Sequence, residues 1–368
     1  MTRPPARILV VALRRLGDVL LVTPLMRSLK RAWPDAAIDA LVFAGTEGIL
    51  AGNPDLHSVV TMPPRPSALQ TLALLRSLWR RYDLALSTQP GDRPTLFAWA
   101  AGRRSVGFVD PEKPAMHVKR RALDVAVPVA PALHRVTEVL CLAQALGIAP
   151  VAQVVAPSPS ATRAPQREGP YAVVHVAPKF RYKQWTEQGW RALAAGLVAR
   201  GLRVVATGGP EAGERDYLDA VWATRPDVER LDGALAWPAL AALLRDATVY
   251  VGPDTAVTHL AAATGAPTVA LYGPTDPRLW GPWPVGGVDP PWDAAGTIQR
   301  RGNVWLVQNP LPCQPCQLEG CLRRIDSHSQ CLDELPLRRV LDAVDAALGS
   351  PEAPSRVTVM ARNSGAAD

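Results

Sequence analysis

The feature that most constrains the fold is an alternation of short apolar strand patterns with amphipathic helix patterns. The first strand pattern covers residues 7–13, a helix pattern follows at 19–32, and the next strand pattern is Ala37–Phe43. Buried runs alternating with 3.6-residue periods are typical of a parallel sheet covered by helices on both faces. The sequence therefore predicts an α/β protein.

The same alternation continues on both sides of a Pro-, Ala- and Ser-rich segment at residues 149–170. Such a composition between two periodic regions is typical of a linker. The predicted organisation is an N-terminal domain at 1–150, a linker at 151–170, a C-terminal domain at 171–348 and a disordered tail at 349–368. Further strands are predicted at 84–87, 171–176, 203–207, 248–251 and 268–271, and further helices after Pro94 and at 67–81, 136–146, 188–200, 211–223, 236–246, 256–264 and 337–348.

The positive charge is confined to the first half of the chain. Residues 1–150 contain 19 Lys and Arg against 11 Asp and Glu, whereas the remainder contains 21 against 22. This asymmetry favours a polyanionic partner for the N-terminal half, such as a phosphorylated glycolipid, a membrane surface or nucleic acid. A solvated, arginine-rich surface without a partner is the alternative. The sequence contains no zinc-finger, helix-turn-helix or stacked-aromatic pattern for nucleic acid, so none is expected as a partner.

The N-terminal apolar run does not have the features of a signal peptide. Arg14 and Arg15 interrupt it early, and no cleavage site of small residues follows. The chain also lacks a run of about 18 uncharged apolar residues, so a membrane span is not expected. We therefore expect a cytoplasmic protein that begins with a β-strand.

Polar side chains follow the ends of several predicted strands. Asp18 follows the first strand, Lys183 follows 171–176, Glu211 follows 203–207, and Asp254 with Thr255 follows 248–251. Ligands of open α/β sheets bind at the carboxyl ends of their strands, so these groups are expected to meet in a cleft between two domains.

The stretch from Thr248 to Ala263 predicts a strand, a tight turn and a helix start. Asp254 is expected to cap the helix, leaving the first-turn amides near Thr255 and Ala256 free to bind an anion. Thr255 and His259 lie four residues apart and share a helix face. The alternative is a capped helix with a buried, hydrogen-bonded histidine.

Several familiar cofactor motifs are absent from the sequence. The first turn has a single glycine and no G-x-G-x-x-G, which disfavours a dinucleotide cofactor, and no phosphate-binding G-x-x-x-x-G-K-[ST] or G-x-S-x-G is present. A carboxylate, a lysine across the cleft and a polar helix start are suited to transferring a group from a diphosphate donor to a hydroxyl.

Four stretches resemble the heptosyltransferase family, glycosyltransferase family 9, in the correct order and spacing. They are LGDVLLVTPLMRSLKRAWPDAAIDALV, HVAPKFRYKQWTEQGWRALA, GGPEAGERD and VGPDTAVTHLAAATGAPTVALYGPTDP. The resemblance covers residues 7–348. It implies the GT-B fold, two Rossmann-like domains facing across a cleft, and transfer of heptose from ADP-heptose to lipopolysaccharide core or O-chain.

The resemblance also implies roles for individual residues. Asp18 matches the general base that deprotonates the acceptor hydroxyl, and Lys183 matches the lysine that neutralises the donor phosphates. The donor-binding element corresponds to Asp254, Thr255, Ala256 and His259. Glu211 matches the acid that binds ribose hydroxyls, with Glu214 as the alternative because the segment aligns either way.

The implied reaction is an inverting single displacement that needs no cofactor for catalysis. The segment before Lys183 lacks the paired threonines of some members, and Lys179 or Arg181 is expected to compensate. The acceptor would be a phosphorylated glycolipid at the inner membrane surface, held by the basic N-terminal domain of a cytoplasmic or peripheral enzyme. The alternatives are another nucleotide-sugar or a protein acceptor and, in a different class, a non-catalytic polyanion-binding module.

The remaining motif is a group of cysteines near the C-terminus. Cys313, Cys316, Cys321 and Cys331 fall within about twenty residues, whereas Cys141 lies alone in a helix pattern. Four thiols at such spacing in a cytosolic protein indicate a structural zinc or iron site. Reduced thiols that pack a small core, or an occasional disulfide, are the alternative.

Overall fold

The computed structural model describes residues 3–113, 116–158 and 167–349. It contains two parallel sheets, one on each side of the Pro-rich segment, and confirms the α/β prediction. The predicted tail beyond residue 349 and the middle of the predicted linker lie outside the described residues.

The first sheet has the strand order β3-β2-β1-β4-β5-β6, and all of its neighbours are parallel. Its strands are β1 Arg7–Ala12, β2 Ala37–Phe43, β3 Ser58–Met62, β4 Tyr82–Ser87, β5 Gly102–Val109 and β6 Val125–Pro128. The accompanying helices are α1 Leu16–Leu20, α2 Thr23–Ala32, α3 Ala68–Leu78, α4 Asp92–Ala101, α5 Met116–Ala122 and α6 Arg135–Ala145.

The second sheet has the order β12-β13-β11-β10-β7-β8-β9, and it is parallel except at the β12–β13 edge. Its strands are β7 Tyr171–His175, β8 Arg203–Gly208, β9 Glu229–Asp232, β10 Val249–Pro253, β11 Thr268–Tyr272, β12 Ile298–Arg301 and β13 Val304–Gln308. Its helices are α7 Glu187–Val198, α8 Ala212–Trp222, α9 Trp237–Arg245, α10 Ala256–Thr264, α11 Pro277–Trp280, α12 Gln330–Asp333 and α13 Leu337–Leu348.

The strands are apolar throughout because both faces of each sheet are covered. In β1, Ile8 and Val10 belong to one buried cluster, while Leu9 and Val11 belong to another on the opposite face. The first of these clusters continues into the second domain, where Tyr250 of β10 belongs to it. Burial of apolar area therefore joins the two domains as well as stabilising each one.

The single helix predicted at 19–32 is wrong, because the chain forms two helices there. Helix α1 ends at Leu20 and α2 starts at Thr23, with Pro24 in the first turn of α2. A proline inside a helix lacks the N–H donor and clashes with the carbonyl four residues earlier, whereas it is favoured in a first turn. The Thr23 hydroxyl donates to the Leu20 carbonyl at 2.7 Å and satisfies a group that the break frees.

The described part of the predicted linker is hydrogen-bonded to both domains. The amide of Val155 donates to Thr23 Oγ1 at 2.8 Å, and the amide of Val151 donates to Ser28 Oγ at 2.8 Å. The Trp283 indole of the second domain donates to the carbonyl of Ala152, also at 2.8 Å. This segment lies against α2. The predicted boundaries of the two domains and the linker remain predictions.

A pair of leucines tests which packing stabilises the first domain. Leu25 of α2 is fully buried, whereas Leu69 of α3 is 79% exposed. Leu25→Ala is expected to lower the free energy of unfolding by about 2–5 kcal/mol, because it leaves a cavity. Leu69→Ala is expected to change it by less than about 0.5 kcal/mol. Denaturant unfolding followed by fluorescence measures both, and equal effects would contradict the assignment of the core.

Candidate active site

The start of helix α10 lies at the carboxyl end of β10, near the middle of the second sheet. Its N-cap is Thr255, whose hydroxyl accepts the amide of Thr258 at 3.4 Å. The expectation that Asp254 caps this helix is therefore wrong, since its carboxylate is held by other groups. The first-turn amides of a helix have no intrahelical acceptor, and the helix dipole favours an anion beside them.

Asp254 is buried and carries a negative charge. Its Oδ2 accepts Lys183 Nζ at 2.5 Å and the Thr275 hydroxyl at 2.6 Å. Burial alone would raise the pKa of Asp254, but the charge of Lys183, the neighbouring His259 and the two hydrogen bonds hold it below the usual 3.8. Lys183 is brought here by a single 3₁₀ turn, Arg181–Lys183, in the loop after β7.

His259 is the second buried polar group of α10. Its Nε2 lies 4.0 Å from Asp254 Oδ1, and its Nδ1 is buried without a hydrogen-bond partner among the described residues. Burial keeps the pKa of His259 below the usual 6.5, although Asp254 and Asp18 act in the other direction. The ring is therefore neutral at pH 7, and one nitrogen remains available for a ligand.

The first domain meets α10 through the turn that carries Asp18. A Cβ added to Gly17 would lie 3.5 Å from Ala256 Cα and 3.5 Å from His259 Cδ2, so the backbone passes close to the helix start. The interdomain packing thus brings the predicted base to the predicted donor site. The side chain of an alanine at position 17 would make ordinary van der Waals contact with α10.

Asp18 does not cap its own helix. The N-cap of α1 is Arg15, and Asp18 Oδ1 is buried without a hydrogen-bond partner among the described residues. Its carboxylate lines a cavity together with the side chains of Arg14, Thr88, Arg135 and Glu138. The cavity measures about 10 Å³, which is room for about one water molecule. A carboxylate oxygen without a donor can accept a proton from a hydroxyl that reaches it.

Sequence reasoning missed Arg135, which lies beside Asp18. Arg135 pairs with Glu138, and its guanidinium lies 5.3 Å from the Trp280 ring centroid in the other domain. Burial and the charge of Arg14 lower the pKa of Arg135, whereas Asp18 raises it. A basic residue at the start of a predicted helix gives no sign of such a long-range position.

The neighbouring His134 fixes this region to the second domain. Its Nδ1 accepts the amide of Val136, and its Nε2 donates to the Gly281 carbonyl at 2.8 Å. Burial lowers the pKa of His134 to about 4, so the ring stays neutral and keeps this tautomer at pH 7. His134 thus ties the start of α6, whose Arg135 and Glu138 line the cavity beside Asp18, to the second domain.

The two candidate ribose-binding acids have different surroundings. Glu214 is half-buried, and its Oε1 accepts the amide of Gly209 at 2.6 Å, while burial raises its pKa. Glu211 occupies the N-cap position of α8, is exposed and makes no capping hydrogen bond. Glu214 therefore holds the turn after β8, whereas Glu211 is free to contact a ligand.

The basic loop after β7 faces a second, open cavity of about 540 Å³. Lys179 and Arg181 line it together with Gln184, Tyr217 and Asp326. Arg181 and Lys183 lie in the same 3₁₀ turn, and of these two residues it is Lys183 that binds Asp254. The expectation that Lys179 or Arg181 contacts phosphate stays a prediction.

The four clustered cysteines are free thiols, and three of them lie near the fourth, Cys331. Cys331 is buried, and burial together with the nearby Cys316, Cys321 and Cys313 raises the pKa of its thiol to about 12. In the described part of the chain, no three side chains of His, Cys, Asp or Glu are already arranged as ligands of one metal ion. The metal site stays a prediction.

Two Rossmann-like sheets whose polar strand ends meet in one cleft are the architecture of the GT-B fold. A family model described as "Glycosyltransferase family 9 (heptosyltransferase)" matches residues 71–287, more than half of the chain. The chain belongs to this family and is a glycosyltransferase, which confirms the resemblance seen in the sequence.

Relatives of known name cover most of the chain. Lipopolysaccharide heptosyltransferase 1 of Pseudomonas aeruginosa is 27% identical over 94% of this chain and 99% of its own length. Lipopolysaccharide heptosyltransferase 3 of Escherichia coli is 27% identical over 73% of this chain and 83% of its own length.

Two solved structures of the Escherichia coli heptosyltransferase WaaC have the same fold. The complex with ADP has a TM-score of 0.71 at 22% identity and covers 93% of this chain and 99% of its own. The complex with ADP-2-deoxy-2-fluoro heptose has a TM-score of 0.69 at 21% identity and covers 92% and 99%. Among the residues described for our protein, no helix is both long enough and apolar enough to cross a bilayer.

The pair of Lys183 and Asp254 predicts a pH-dependent stability. Because the pKa of Asp254 is lowered on folding, the pair contributes above the unfolded pKa of 3.8, and this contribution is lost as pH falls through the folded value. Lys183→Met leaves the buried carboxylate unpaired and is expected to lower the free energy of unfolding by about 3–5 kcal/mol at pH 7.

The control for this variant is Lys179→Met, which removes an exposed lysine of the same loop. We expect it to change stability by less than about 0.5 kcal/mol. Denaturant unfolding between pH 7 and pH 3 measures both variants against the unmodified protein. A Lys183→Met deficit that stayed constant down to pH 3 would contradict a charged Asp254.

Proposed function

We propose that the protein transfers heptose from ADP-heptose to a hydroxyl of lipopolysaccharide core or O-chain, with Asp18 as the general base. The observation that carries this proposal is the free oxygen of Asp18 beside the start of α10. The names of the relatives and the ADP and ADP-sugar complexes of WaaC support the choice of donor and acceptor.

In this proposal, the diphosphate of the donor lies at the N-terminus of α10. The amide of Ala256 and the hydroxyl of Thr255 face the phosphates, where the helix dipole favours negative charge. The free Nδ1 of His259 offers a hydrogen bond to the donor, and the exposed Glu211 accepts from ribose hydroxyls.

Lys183 would neutralise the charge that ADP gathers as it leaves. Its ammonium has three N–H groups, of which one is used by Asp254 at 2.5 Å. The other two remain available for phosphate oxygens. Asp254 thus holds the lysine in place rather than contacting the phosphates, since two anions would repel each other.

The chemical step is a single displacement. Asp18 accepts the proton of the acceptor hydroxyl as that oxygen forms a bond to the anomeric carbon. The bond from the anomeric carbon to the phosphate oxygen breaks, its electron pair leaves with ADP, and the configuration inverts. Arg135 places a positive charge beside Asp18.

The acceptor would bind on the side of the N-terminal domain. Arg14 and Arg135 beside Asp18 suit an anionic group of a phosphorylated glycolipid, and the whole domain carries the excess of positive charge. Such an acceptor would be reached at the inner membrane surface by a cytoplasmic, peripheral enzyme.

The role of Asp18 is tested by Asp18→Asn, which keeps the shape of the side chain. We expect transfer to fall by about 10²–10⁴-fold, because the proton acceptor is lost. The affinity for ADP in calorimetric titration should stay within about twofold of the unmodified protein, since Asp18 contacts the acceptor. Asp35→Asn, at an exposed acid of the same domain, is the control and should leave both quantities unchanged.

Three results would contradict the proposal. An Asp18→Asn variant that bound ADP weakly but turned over normally would remove the assignment of the base. Preference for UDP or GDP over ADP would exclude heptose from ADP-heptose, and absence of any nucleotide binding would favour a polyanion-binding module.

We also propose that Cys313, Cys316, Cys321 and Cys331 hold a structural zinc or iron ion away from the reacting groups. The proximity of Cys313, Cys316 and Cys321 to the Cys331 thiol supports this proposal. To bind the ion, the loop would have to bring at least three of the thiols around it. The ion would order the loop before α12 and would take no part in the transfer.

Elemental analysis of protein purified without chelator should find about one zinc or iron per chain. The double variant Cys313→Ser, Cys316→Ser should lose the metal, because two of four thiolate ligands are removed. Cys141→Ser, at the cysteine in α6, should retain it. Protein that holds less than about one-tenth of an equivalent of either metal would contradict the site.

A further inference from the structure

Helix α3 is apolar on two sides. Its inner side packs Leu74, Leu75 and Leu78 against the core of the first domain. On its outer side, Leu69 is 79% exposed and Leu72 is 43% exposed. Arg76 and Trp79 follow the two leucines at steps of four and three residues, so the four exposed side chains form one continuous stripe.

Two neighbouring helices extend this stripe into a surface. Helix α3 packs against α4 and α4 packs against α5. Leu96 of α4 and Val118 of α5 are exposed, and Trp79 meets Trp99 edge to face with ring centroids 5.7 Å apart. We call this the outer face, and its exposed apolar members are Leu69, Leu72, Trp79, Leu96 and Val118.

The outer face is also basic. Residues 63–81 contain four arginines and no Asp or Glu, and residues 116–122 contain three basic residues and no acid. The acid in α4, Asp92, is paired with Lys119 at 2.6 Å. The exposed basic side chains are Arg65, Arg76, Arg80, Arg81, Arg93, Arg120 and Arg121.

We propose that the outer face docks the enzyme on a bilayer that contains anionic lipids. Arginine interspersed with exposed leucine and tryptophan is the pattern of helices that lie in a membrane interface, where the apolar side chains enter and the cations meet lipid phosphates. A protein partner would instead favour an apolar centre with few charges. The proposal rests on the proposed function, because a lipid-linked acceptor is what makes docking useful.

The position of the outer face suits this role. Helix α3 begins six residues after β3 ends and α4 begins five residues after β4 ends, so both start near the carboxyl edge of the first sheet. Asp18 follows β1 at the same edge. A bilayer against the outer face would therefore lie beside the mouth of the cleft, where a lipid-anchored acceptor presents its sugar.

The test is sedimentation of the full-length protein with vesicles of phosphatidylcholine alone or with 30 mol% phosphatidylglycerol added. We expect binding to the anionic vesicles, and about tenfold or greater loss of the partition coefficient in Leu69→Gln, Leu72→Gln. Arg76→Gln, Arg120→Gln should lose about tenfold or more on anionic vesicles alone.

The matched controls lie in the second domain and are also exposed. Val198→Gln, Val285→Gln corresponds to the leucine pair, and Arg215→Gln, Arg338→Gln corresponds to the arginine pair. Both control variants should bind vesicles as the unmodified protein does. Equal losses in variants and controls, or no binding of the unmodified protein, would overturn the proposal.

Two further measurements separate this proposal from the proposed function. Titration with ADP and transfer to a deacylated, water-soluble acceptor should be unchanged in both outer-face variants. If they are unchanged and vesicle binding is absent, docking fails while the transferase stands. If vesicle binding follows the outer face but ADP does not bind, docking stands while the transferase fails. A third outcome is that the protein binds no vesicles but forms a dimer without lipid, and that Leu69→Gln, Leu72→Gln abolishes this dimer. This outcome would assign the outer face to contact with a second copy of the chain instead.

Discussion

The buried charge of Asp254 is the constraint on which the cleft depends. A carboxylate out of water must be paired and hydrogen-bonded, and Lys183 and Thr275 provide both from two different loops. The loops after β7 and β11 are thereby tied to the turn after β10. The three central strands of the second sheet thus end in one fixed polar cluster. The N–H groups of Lys183 that Asp254 does not accept remain available to a ligand in the cleft.

The second constraint is the short distance between the two domains at Gly17. The first-domain turn at Gly17 lies within van der Waals distance of α10, and the apolar cluster that continues from β1 into β10 stabilises this approach. His134 adds a hydrogen bond across the same boundary. These interdomain contacts fix the residues around Asp18, and its Oδ1 is left without a donor among the described residues. A carboxylate that is buried but unsatisfied is costly to stability, and such a cost is typical of a functional site.

The sequence predicts the elements whose signals are local. Helices Ala256–Thr264 and Leu337–Leu348 form over the residues that periodicity predicts, and the GT-B fold follows from the alternation together with the family resemblance. Prediction from the sequence fails where two local preferences compete, or where contacts between distant residues determine the structure. Pro24 divides a periodic helix in two, and Asp254 would be a good cap but is drawn away by Lys183. Arg135 reaches Asp18 only through tertiary packing, which no spacing along the chain indicates.

The excess positive charge of the first domain is found in three separate places. Some arginines are structural, as Arg27 shows by binding Asp55 and Gln153 at 2.8 Å each. Arg14 and Arg135 surround Asp18, where a positive potential suits an anionic acceptor. The arginines of the outer face have few acids near them and lie among exposed leucines. A uniformly solvated basic surface would not separate the charges in this way. The same sign of charge at the cleft and on the outer face would attract one polyanionic surface to both, so the acceptor and the bilayer that carries it would be met together.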